Sequence, residues 1–313
     1  MRIALASPID GAAIARLREH HDVVRAFDDP GSLPIAIADR EVLVFRSGVA
    51  VTAELLEAAP ELRLLVRAGS GLDNLDMDAV RERGIGLVRI PEPGAQAVAE
   101  LTFAFMLALS RNLLAADRSM REARWAKFEL EGSLLLGKTL GIVGLGTIGT
   151  RVATMGLAWG MRTVGCVRNA TPERERDLMR TGIALLPFED VVAEADHLCL
   201  HVPRTEETLR LIDAGVIARM KRGSYLINLA RGGVVDEDAL RSALETGHLA
   251  GAALDVHGSE ADGERSPLAD LPNVILTPHI GAMATDAQRM IGERVVEIID
   301  EHAASPHPLE ATR

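Results

Sequence analysis

Three glycines with a defined spacing are the residues of this sequence whose arrangement first predicts a chemical task. Gly144, Gly146 and Gly149 follow a short aliphatic run and open an amphipathic stretch, the context that gives a G-x-G-x-x-G pattern its meaning. Gly144 permits a tight turn, Gly146 lets the backbone approach a pyrophosphate, and Gly149 allows close packing of helix on strand. Thr147 and Ile148 would offer N–H groups and the positive helix end to the phosphates. The segment predicts a dinucleotide site; a glycine-rich turn without a ligand is the alternative.

The residues after the next predicted strand bear on which dinucleotide binds. An acidic residue about 20 positions after the glycine loop normally holds the ribose 2′-hydroxyl. Here that place is taken by Val167, followed by Arg168 and Asn169. A carboxylate would repel a 2′-phosphate, whereas an arginine can pair with it. We therefore predict an NAD(P)(H) site with a modest preference for NADP(H). The alternative is that Arg168 only stacks on the adenine and that NAD(H) serves equally.

Ionisable side chains also follow three aliphatic runs in the second half of the chain. The segments that carry them are residues 228–237, 255–260 and 277–281. Ligands bind an open parallel sheet beyond the carboxyl ends of its strands. Arg231, Glu260 and His279 are thus candidates for chemistry. Taken singly, they have alternatives: a surface ion pair, a solvated loop acid and a hydrogen-bonded histidine before a turn.

The elements that must position these residues form two series in which aliphatic runs alternate with amphipathic stretches. This alternation predicts parallel sheets flanked by helices. A long apolar helix is expected over residues 97–117, between the two series, and a last helix over 282–302. The sequence therefore predicts an α/β fold with two Rossmann-like, doubly wound parallel-sheet domains. The strands are expected at residues 2–6, 42–45, 64–67, 87–90, 140–143, 162–167, 197–201, 225–228, 250–254 and 274–276.

Composition limits the functions that the chain can have. It has 313 residues, a 48% hydrophobic fraction and a net charge of −11, enough for two domains with sizeable cores and unsuited to non-specific nucleic-acid binding. Only Cys166 and Cys199 occur, so neither a disulfide framework nor a cysteine metal cluster is predicted, and no metal site is expected. The most apolar run, residues 101–110, is shorter than the roughly 18 residues of a membrane span. We expect a cytoplasmic protein without nucleic-acid or membrane partners.

Taken together, the motifs resemble those of the D-isomer-specific 2-hydroxyacid dehydrogenases, from about residue 42 to the last helix. The nearest branches in appearance are phosphoglycerate dehydrogenases and glyoxylate/hydroxypyruvate reductases. A formate dehydrogenase fits less well, because that branch carries Gln at the position of Glu260. The segments that carry the resemblance are residues 67–74 (RAGSGLDN), 98–102 (VAELT), the glycine loop, 228–240 and 271–281.

The resemblance implies a role for each candidate residue. Arg231 would orient a 2-oxo acid, because a guanidinium can bond both the carboxylate and the carbonyl oxygen. His279 would be the acid/base that protonates the carbonyl oxygen as hydride arrives. Glu260 would hold the imidazole in its orientation, and Asp255 would lie near the nicotinamide carboxamide. Two departures bear on this loop: His257 stands where the family often has Phe, and Ala261 where it has Pro.

The same resemblance implies further contacts to cofactor and substrate. The turn containing Gly69, Ser70 and Gly71 can form a nest of backbone N–H groups for the substrate carboxylate. Arg46 matches an arginine directed at a substrate phosphate, although a surface arginine is an equal alternative. The Asn that the family carries before Val98 is missing from residues 89–97. The remaining positions that the resemblance assigns to the cofactor are Thr102, His201, Pro203, Thr208 and Ala230.

The resemblance also implies how the chain is divided and assembled. Residues 1–97 and 282–313 would form the substrate domain, and residues 98–281 the NAD(P)-binding domain, with no appended regulatory domain. A homodimer is expected through the long helix, whose apolar side chains could instead fill the core; they are Leu101, Phe103, Phe105, Met106 and Leu109. The implied activity is hydride transfer between NAD(P)(H) and a small 2-hydroxy or 2-oxo acid such as 3-phosphoglycerate, glyoxylate or hydroxypyruvate. The alternative is a non-catalytic, NAD(P)-responsive protein like the corepressors of this fold.

Overall fold

The computed structural model describes residues 1–260 and 264–304, so Ala261 and residues 305–313 lie outside the described residues. The chain forms two compact units. The first contains Met1–Ala97 and the chain from Ala282 onward, and the second contains Val98–Gly281.

The strands and helices follow one another along the described residues in an almost regular alternation. Two short 3-10 turns, Ala26–Asp28 and Pro30–Ser32, follow the second strand. In chain order the elements are β1 (Arg2–Leu5), α1 (Gly11–His20), β2 (Asp22–Arg25), α2 (Leu33–Ile37), β3 (Val42–Phe45), α3 (Ala53–Glu57), β4 (Leu64–Arg67), α4 (Met77–Glu82), β5 (Gly86–Arg89), α5 (Glu92–Ser110), α6 (Leu113–Arg121), β6 (Thr139–Val143), α7 (Thr147–Ala158), β7 (Arg162–Cys166), α8 (Pro172–Arg180), β8 (Ala184–Leu185), α9 (Phe188–Glu194), β9 (His197–Leu200), α10 (Ala214–Arg219), β10 (Tyr225–Asn228), α11 (Glu237–Glu245), β11 (Gly251–Leu254), β12 (Val274–Leu276) and α12 (Thr285–Ala304).

The first unit is built on a five-stranded parallel sheet with the order β2-β1-β3-β4-β5. Successive strand residues point to opposite faces, so each central strand contributes to two cores. Val42 and Val44 pack with Val295 of α12 on one face, whereas Leu43 packs with Leu56 of α3 on the other. Because both faces are covered, the central strands are apolar throughout rather than alternating.

The second unit is built on a seven-stranded parallel sheet with the order β12-β11-β10-β9-β6-β7-β8. The chain enters at the central strand β6, proceeds outward to β8, and returns to β9 on the other side of β6. The strand order therefore reverses between β6 and β9. Such a reversal opens a crevice at the carboxyl ends of the strands, where doubly wound sheets bind ligands. Both sheets confirm the predicted α/β fold class.

The helix expected over residues 97–117 is two helices. α5 begins earlier, because Pro93 and Gly94 lie in its first turn, where a missing N–H costs nothing. It ends at Ser110, and Asn112 adopts a left-handed conformation with φ 51° before α6 begins. Asn tolerates this conformation better than other residues with a side chain. A left-handed residue cannot continue a right-handed helix, so the chain turns there.

Helix α5 is long and apolar enough to cross a membrane by length and composition alone, with a mean hydropathy of 1.2, in contrast to the expectation from residues 101–110. However, 67% of the apolar stretch of this helix is buried inside the protein, as is usual for a core helix. Phe103, Phe105, Met106 and Leu109 are all buried and Leu101 is half-buried. The expectation that these side chains form a dimer face is therefore corrected: they are used in packing within the chain.

Candidate active site

The glycine loop after β6 has the geometry that its spacing predicts. Gly144 has φ 98°, and a Cβ there would lie 2.6 Å from the carbonyl oxygen of His201. A Cβ on Gly149 would overlap the carbonyl oxygen of Gly144. In contrast, a Cβ on Gly146 would meet no atom of the described residues within 4 Å. Gly144 and Gly149 thus close the turn, and Gly146 leaves space over it.

The N-terminus of α7 is suited to an anion. Its N-cap, Gly146, makes no side-chain cap, and its first turn contains no acidic residue. By contrast, Thr171, Asp213 and Asp236 cap α8, α10 and α11 through their side chains. Uncapped N–H groups and the positive helix end attract phosphate. The pyrophosphate of a nicotinamide dinucleotide fits this turn, with the N–H groups of Gly146, Thr147 and Ile148 as the groups that would hold it.

The other residues predicted to contact the cofactor differ in what the structure offers. His201 follows β9, and neither of its ring nitrogens has a hydrogen-bond partner within the described part of the chain. Burial lowers the pKa of His201 to about 4, so the ring is neutral. The Thr208 hydroxyl donates to the Pro203 carbonyl at 2.6 Å and fixes that loop. Thr102 is fully buried and donates to the Val98 carbonyl at 2.8 Å, so its hydroxyl is already engaged inside α5.

Arg168 lies after β7 with its side chain exposed, and it forms an ion pair with Glu207. A second arginine, Arg174, donates to the carbonyl of Leu145 in the glycine loop and to the hydroxyl of Thr150, at 2.9 Å each. Neither Glu207 nor Arg174 was predicted as a site residue. Both are separated in sequence from the glycine loop, and only the sheet order brings them to it.

The turn after β10 presents Arg231. The buried Asn228 accepts from the N–H of Ala230 at 3.0 Å and donates to the carbonyl of Arg231 at 3.1 Å, which closes the turn. The guanidinium of Arg231 donates to the carbonyl of Ala230 at 2.7 Å. A Cβ on Gly232 would overlap the carbonyl oxygen of His257, so the Arg231 turn packs directly on the segment after β11.

The turn after β12 holds His279 in an unusual backbone conformation. His279 has φ 53°, in the left-handed region that residues with a side chain rarely adopt. Asp255, which is buried, accepts from the Thr277 hydroxyl at 2.5 Å and from the N–H groups of Ile280 and Gly281 at 2.8 and 2.7 Å. Strained residues of this kind concentrate at functional sites. Asp255, predicted to lie near the carboxamide, thus also fixes the turn that carries His279.

His279 and Glu260 form the contact that the sequence predicted. Nδ1 of His279 lies 2.9 Å from Oε2 of Glu260, and the N–H of His257 donates to Oε1 at 3.2 Å. Burial raises the pKa of Glu260, but the hydrogen bonds and charges of His279 and His257 together lower it by more, so it lies below its usual value. His257 also bonds the carbonyl of Thr277 through Nε2 at 2.9 Å. The histidine at this position therefore links the two segments that carry the pair.

The first unit contains the turn that is predicted to bind the substrate carboxylate. The N–H of Gly69 donates to the carbonyl of Arg67 at 2.8 Å, so it is not available, whereas those of Ser70 and Gly71 have no partner in the described ranges. Arg67 is buried, and its Nε donates to the carbonyl of Gly71 at 2.9 Å. The turn is thus wrapped around a buried guanidinium, a role that the motif alone did not reveal.

Arg46 has only uncharged side-chain partners among the described residues. Its guanidinium donates to Oε1 of Gln288 at 2.7 Å and lies 3.4 Å from the sulfur of Met283. Burial lowers the pKa of Arg46, as expected where no carboxylate compensates the charge. Its positive charge is therefore available to an anionic group.

Comparison with known proteins identifies the relatives of this chain. A family model described as "D-isomer specific 2-hydroxyacid dehydrogenase, NAD binding domain" matches residues 103–281. A D-3-phosphoglycerate dehydrogenase of Mycobacterium tuberculosis is 40% identical over 95% of this chain, which spans only 56% of that protein. A hydroxypyruvate reductase of Thermotoga maritima is 39% identical over 95% of this chain and 97% of its own. The crystal structure of a D-lactate dehydrogenase from Aquifex aeolicus, complexed with NAD and lactic acid, superposes with a TM-score of 0.84 at 29% identity over 97% of this chain and 96% of that one.

The glycine loop yields a prediction that separates folding from binding. Gly149→Ala should lower the free energy of unfolding by about 1–3 kcal/mol, because overpacked side chains cost this much. Gly146→Ala should cost less stability, since its Cβ meets nothing and only the preference for Gly over Ala at the N-cap is lost, yet it should weaken dinucleotide binding by filling the space over the loop. Urea unfolding and titration with NADH and NADPH measure the two effects. Equal loss of stability in both variants would contradict the assignment.

The His279–Glu260 pair predicts a pH dependence of stability. The pKa of Glu260 is lower in the folded protein than in the unfolded chain, so its contribution is present above its unfolded pKa and is lost as the pH falls through the folded value. The difference in Tm between wild type and Glu260→Gln should therefore shrink between about pH 6 and about pH 3. Glu206→Gln, an exposed acid of the same unit, is the control. A difference that stays constant over this range would exclude a stabilising pair.

Proposed function

Because the chain belongs to the D-isomer specific 2-hydroxyacid dehydrogenase family, we propose that it transfers a hydride between a nicotinamide dinucleotide and a small D-2-hydroxy acid or its 2-oxo form. The single observation that carries the proposal is the 2.9 Å contact between His279 and Glu260, packed against the turn of Arg231. Membership of this family supports an oxidoreductase of the CH–OH group with a nicotinamide cofactor. The residue roles, the substrate and the choice between NAD and NADP belong to the proposal.

His279 is the proposed acid/base. Its Nδ1 faces Glu260, so Nε2 is the nitrogen that remains to exchange a proton with the substrate oxygen. Glu260 keeps the ring oriented through the same contact. When bound, the dinucleotide supplies or accepts the hydride at the substrate carbon. In the direction of reduction, His279 gives its proton to the carbonyl oxygen; in the direction of oxidation it removes the proton of the hydroxyl.

Arg231 is the proposed residue that orients and polarises the substrate. A guanidinium presents parallel N–H groups that match a carboxylate and an adjacent carbonyl oxygen. Its turn is fixed by the buried Asn228, so the charge is preorganised. Preorganised donors stabilise the negative charge that develops on the carbonyl oxygen, because no reorganisation is needed during the reaction.

The first unit is the proposed substrate domain, formed by residues 1–97 and 282–313, and residues 98–281 are the proposed cofactor domain. The free N–H groups of Ser70 and Gly71 would bind the substrate carboxylate, and Arg46 a second anionic group. A phosphate group matches Arg46 best, which favours 3-phosphoglycerate among the candidates. Glyoxylate and hydroxypyruvate, which lack a phosphate, would not use Arg46. A cytoplasmic location is part of the proposal.

We also propose a homodimer, through a different face from the one predicted. The chain after α5 exposes large apolar side chains, which seldom cluster on a monomer surface. The segment between α6 and β6 returns to the end of α5, where the N–H of Ser133 donates to the carbonyl of Ser110 at 2.8 Å. A second copy of the chain is the proposed partner for this apolar segment, whose exposed residues are Leu113, Leu114, Met120, Trp125, Phe128, Leu134 and Leu136.

Activity assays with variants test the proposed roles. Wild type should consume NADH or NADPH with at least one of glyoxylate, hydroxypyruvate and 3-phosphohydroxypyruvate. His279→Ala and Arg231→Ala should each lower kcat by about 10²–10⁴-fold, while dinucleotide binding survives. The measurement is the absorbance of the reduced cofactor, with binding followed separately by titration.

Matched controls keep this test specific. His20→Ala removes an exposed histidine and should leave turnover unchanged. Arg46→Ala should raise KM for the phosphorylated acid alone. Near-normal turnover by His279→Ala would refute the acid/base role. Tight dinucleotide binding without turnover of any acid would favour the non-catalytic alternative.

The apolar segment predicts an assembly that two substitutions should disrupt. Wild type should have the mass of a dimer in light scattering, whereas Trp125→Ser combined with Phe128→Ser should have the mass of a monomer. These side chains are 76% and 90% exposed in the chain, so their loss should not unfold it. A monomeric wild type, or a variant that still dimerises with wild-type affinity, would contradict the proposal.

A further inference from the structure

The ion pair between Arg168 and Glu207 spans the nucleotide crevice of the second unit. Arg168 follows β7, and Glu207 lies in the loop that follows β9. Because β6 lies between β7 and β9 in the sheet, these two loops flank the glycine loop on opposite sides. The pair therefore joins the two loops that lie on either side of the glycine loop.

The loop that carries Glu207 is held in place by its own threonines. Thr208 donates its hydroxyl to the carbonyl of Pro203 at 2.6 Å and accepts from the N–H of Thr205 at 2.8 Å. The N–H of Leu209 donates to the carbonyl of Thr205 at 2.9 Å. The backbone on both sides of Glu207 is thus fixed, and its carboxylate is presented by a formed turn.

Glu207, in the loop after β9, supplies the acidic group that the sequence lacks after β7. In dinucleotide sites an acid at this place accepts from the ribose 2′-hydroxyl, whereas an arginine pairs with a 2′-phosphate. Arg168 stands at that place, but its guanidinium already faces a carboxylate. A 2′-phosphate, which carries a charge of about −1.5 to −2, would have to displace Glu207 or lie beside it. A 2′-hydroxyl meets no such repulsion and can donate to the same carboxylate.

We propose that Glu207 determines cofactor choice, by competing with a 2′-phosphate for Arg168, and that the chain consequently prefers NAD(H). This inference rests on the proposed function and reverses the preference predicted from Arg168 alone. Arg174 donates to Leu145 of the glycine loop and to Thr150 of α7, not to Glu207. A change at Glu207 therefore acts on Arg168 and leaves the contacts of Arg174 as they are.

Binding titrations with NADH and NADPH test this inference without requiring turnover. Wild type should bind NADH more tightly than NADPH. Glu207→Gln should raise the affinity for NADPH relative to NADH about fivefold, a change of the size that exposed ion pairs give. Both side chains of the pair are more than half exposed, so the substitution should not affect folding. Glu206→Gln removes the same charge one residue away and should leave the ratio unchanged.

A double-mutant cycle shows whether the effect passes through the arginine. In an Arg168→Ala background, Glu207→Gln should favour NADPH by clearly less than in the wild-type background, because no guanidinium is released and only the direct repulsion between the carboxylate and the 2′-phosphate is removed. A ratio that is equal in wild type and Glu207→Gln, or that changes as much in Glu206→Gln, overturns the inference while the proposed function stands. Failure of both NADH and NADPH to bind overturns both.

Discussion

The carboxylate of Asp255 is the group on which the geometry of the candidate site depends. It is buried, and it accepts three hydrogen bonds from the turn that follows β12. A left-handed backbone costs a residue with a side chain about 1–2 kcal/mol, and His279 adopts it. Hydrogen bonds to a charged acceptor contribute about 1.5–3 kcal/mol each, so the three bonds to Asp255 outweigh this strain. The hydrogen bonds of Asp255 therefore hold the His279 backbone in the conformation that places its imidazole beside Glu260.

The turn that carries Arg231 is also fixed by buried contacts. Asn228 uses both ends of its amide to close the turn of Arg231, and Gly232 packs against the carbonyl of His257. The three segments after β10, β11 and β12 thus contact one another in sequence, and none is positioned alone. Reactive geometry of this kind must be held to a fraction of an ångström, which neighbouring buried bonds provide better than exposed side chains.

Much of this architecture could be predicted from the sequence, because it depends on local patterns. The strands β3, β4, β10 and β12 agree with their predicted bounds, since uninterrupted aliphatic runs bounded by polar residues leave little choice. The glycine loop was recognisable because close packing requires Gly144 and Gly149, and Gly146 leaves space over the turn. The edge strands β2 and β8 were missed: β2 is largely exposed, and β8 has two residues. Helix α5 was misjudged at both ends, because Pro93 in a first turn and a left-handed Asn112 are decided by tertiary packing.

The parts of the site that the sequence concealed are those that pair distant segments. Nothing near Arg168 indicates that a carboxylate 39 residues later faces it, because only the strand order brings Glu207 there. Likewise, the unusual His257 reads as a departure from a family pattern, whereas the structure shows a ring that bonds Thr277. Whether a motif residue is engaged or available, as with the N–H groups of Gly69 and Ser70, also requires the folded backbone.

The strand order of the second unit separates two kinds of selectivity. In the proposed assignment, the loops after β6, β7 and β9 would contact the phosphates and the adenosine ribose of the nucleotide, and those after β10, β11 and β12 would carry the residues of proton transfer and substrate binding. The loops that carry Arg168 and Glu207 thus differ from those that carry Arg231, Glu260 and His279, although all of them follow strands of one sheet. Substitutions in the nucleotide loops can therefore change the preferred cofactor while the residues of proton transfer stay the same. Combinatorial libraries for this scaffold can vary the two halves of the sheet edge independently and combine the results.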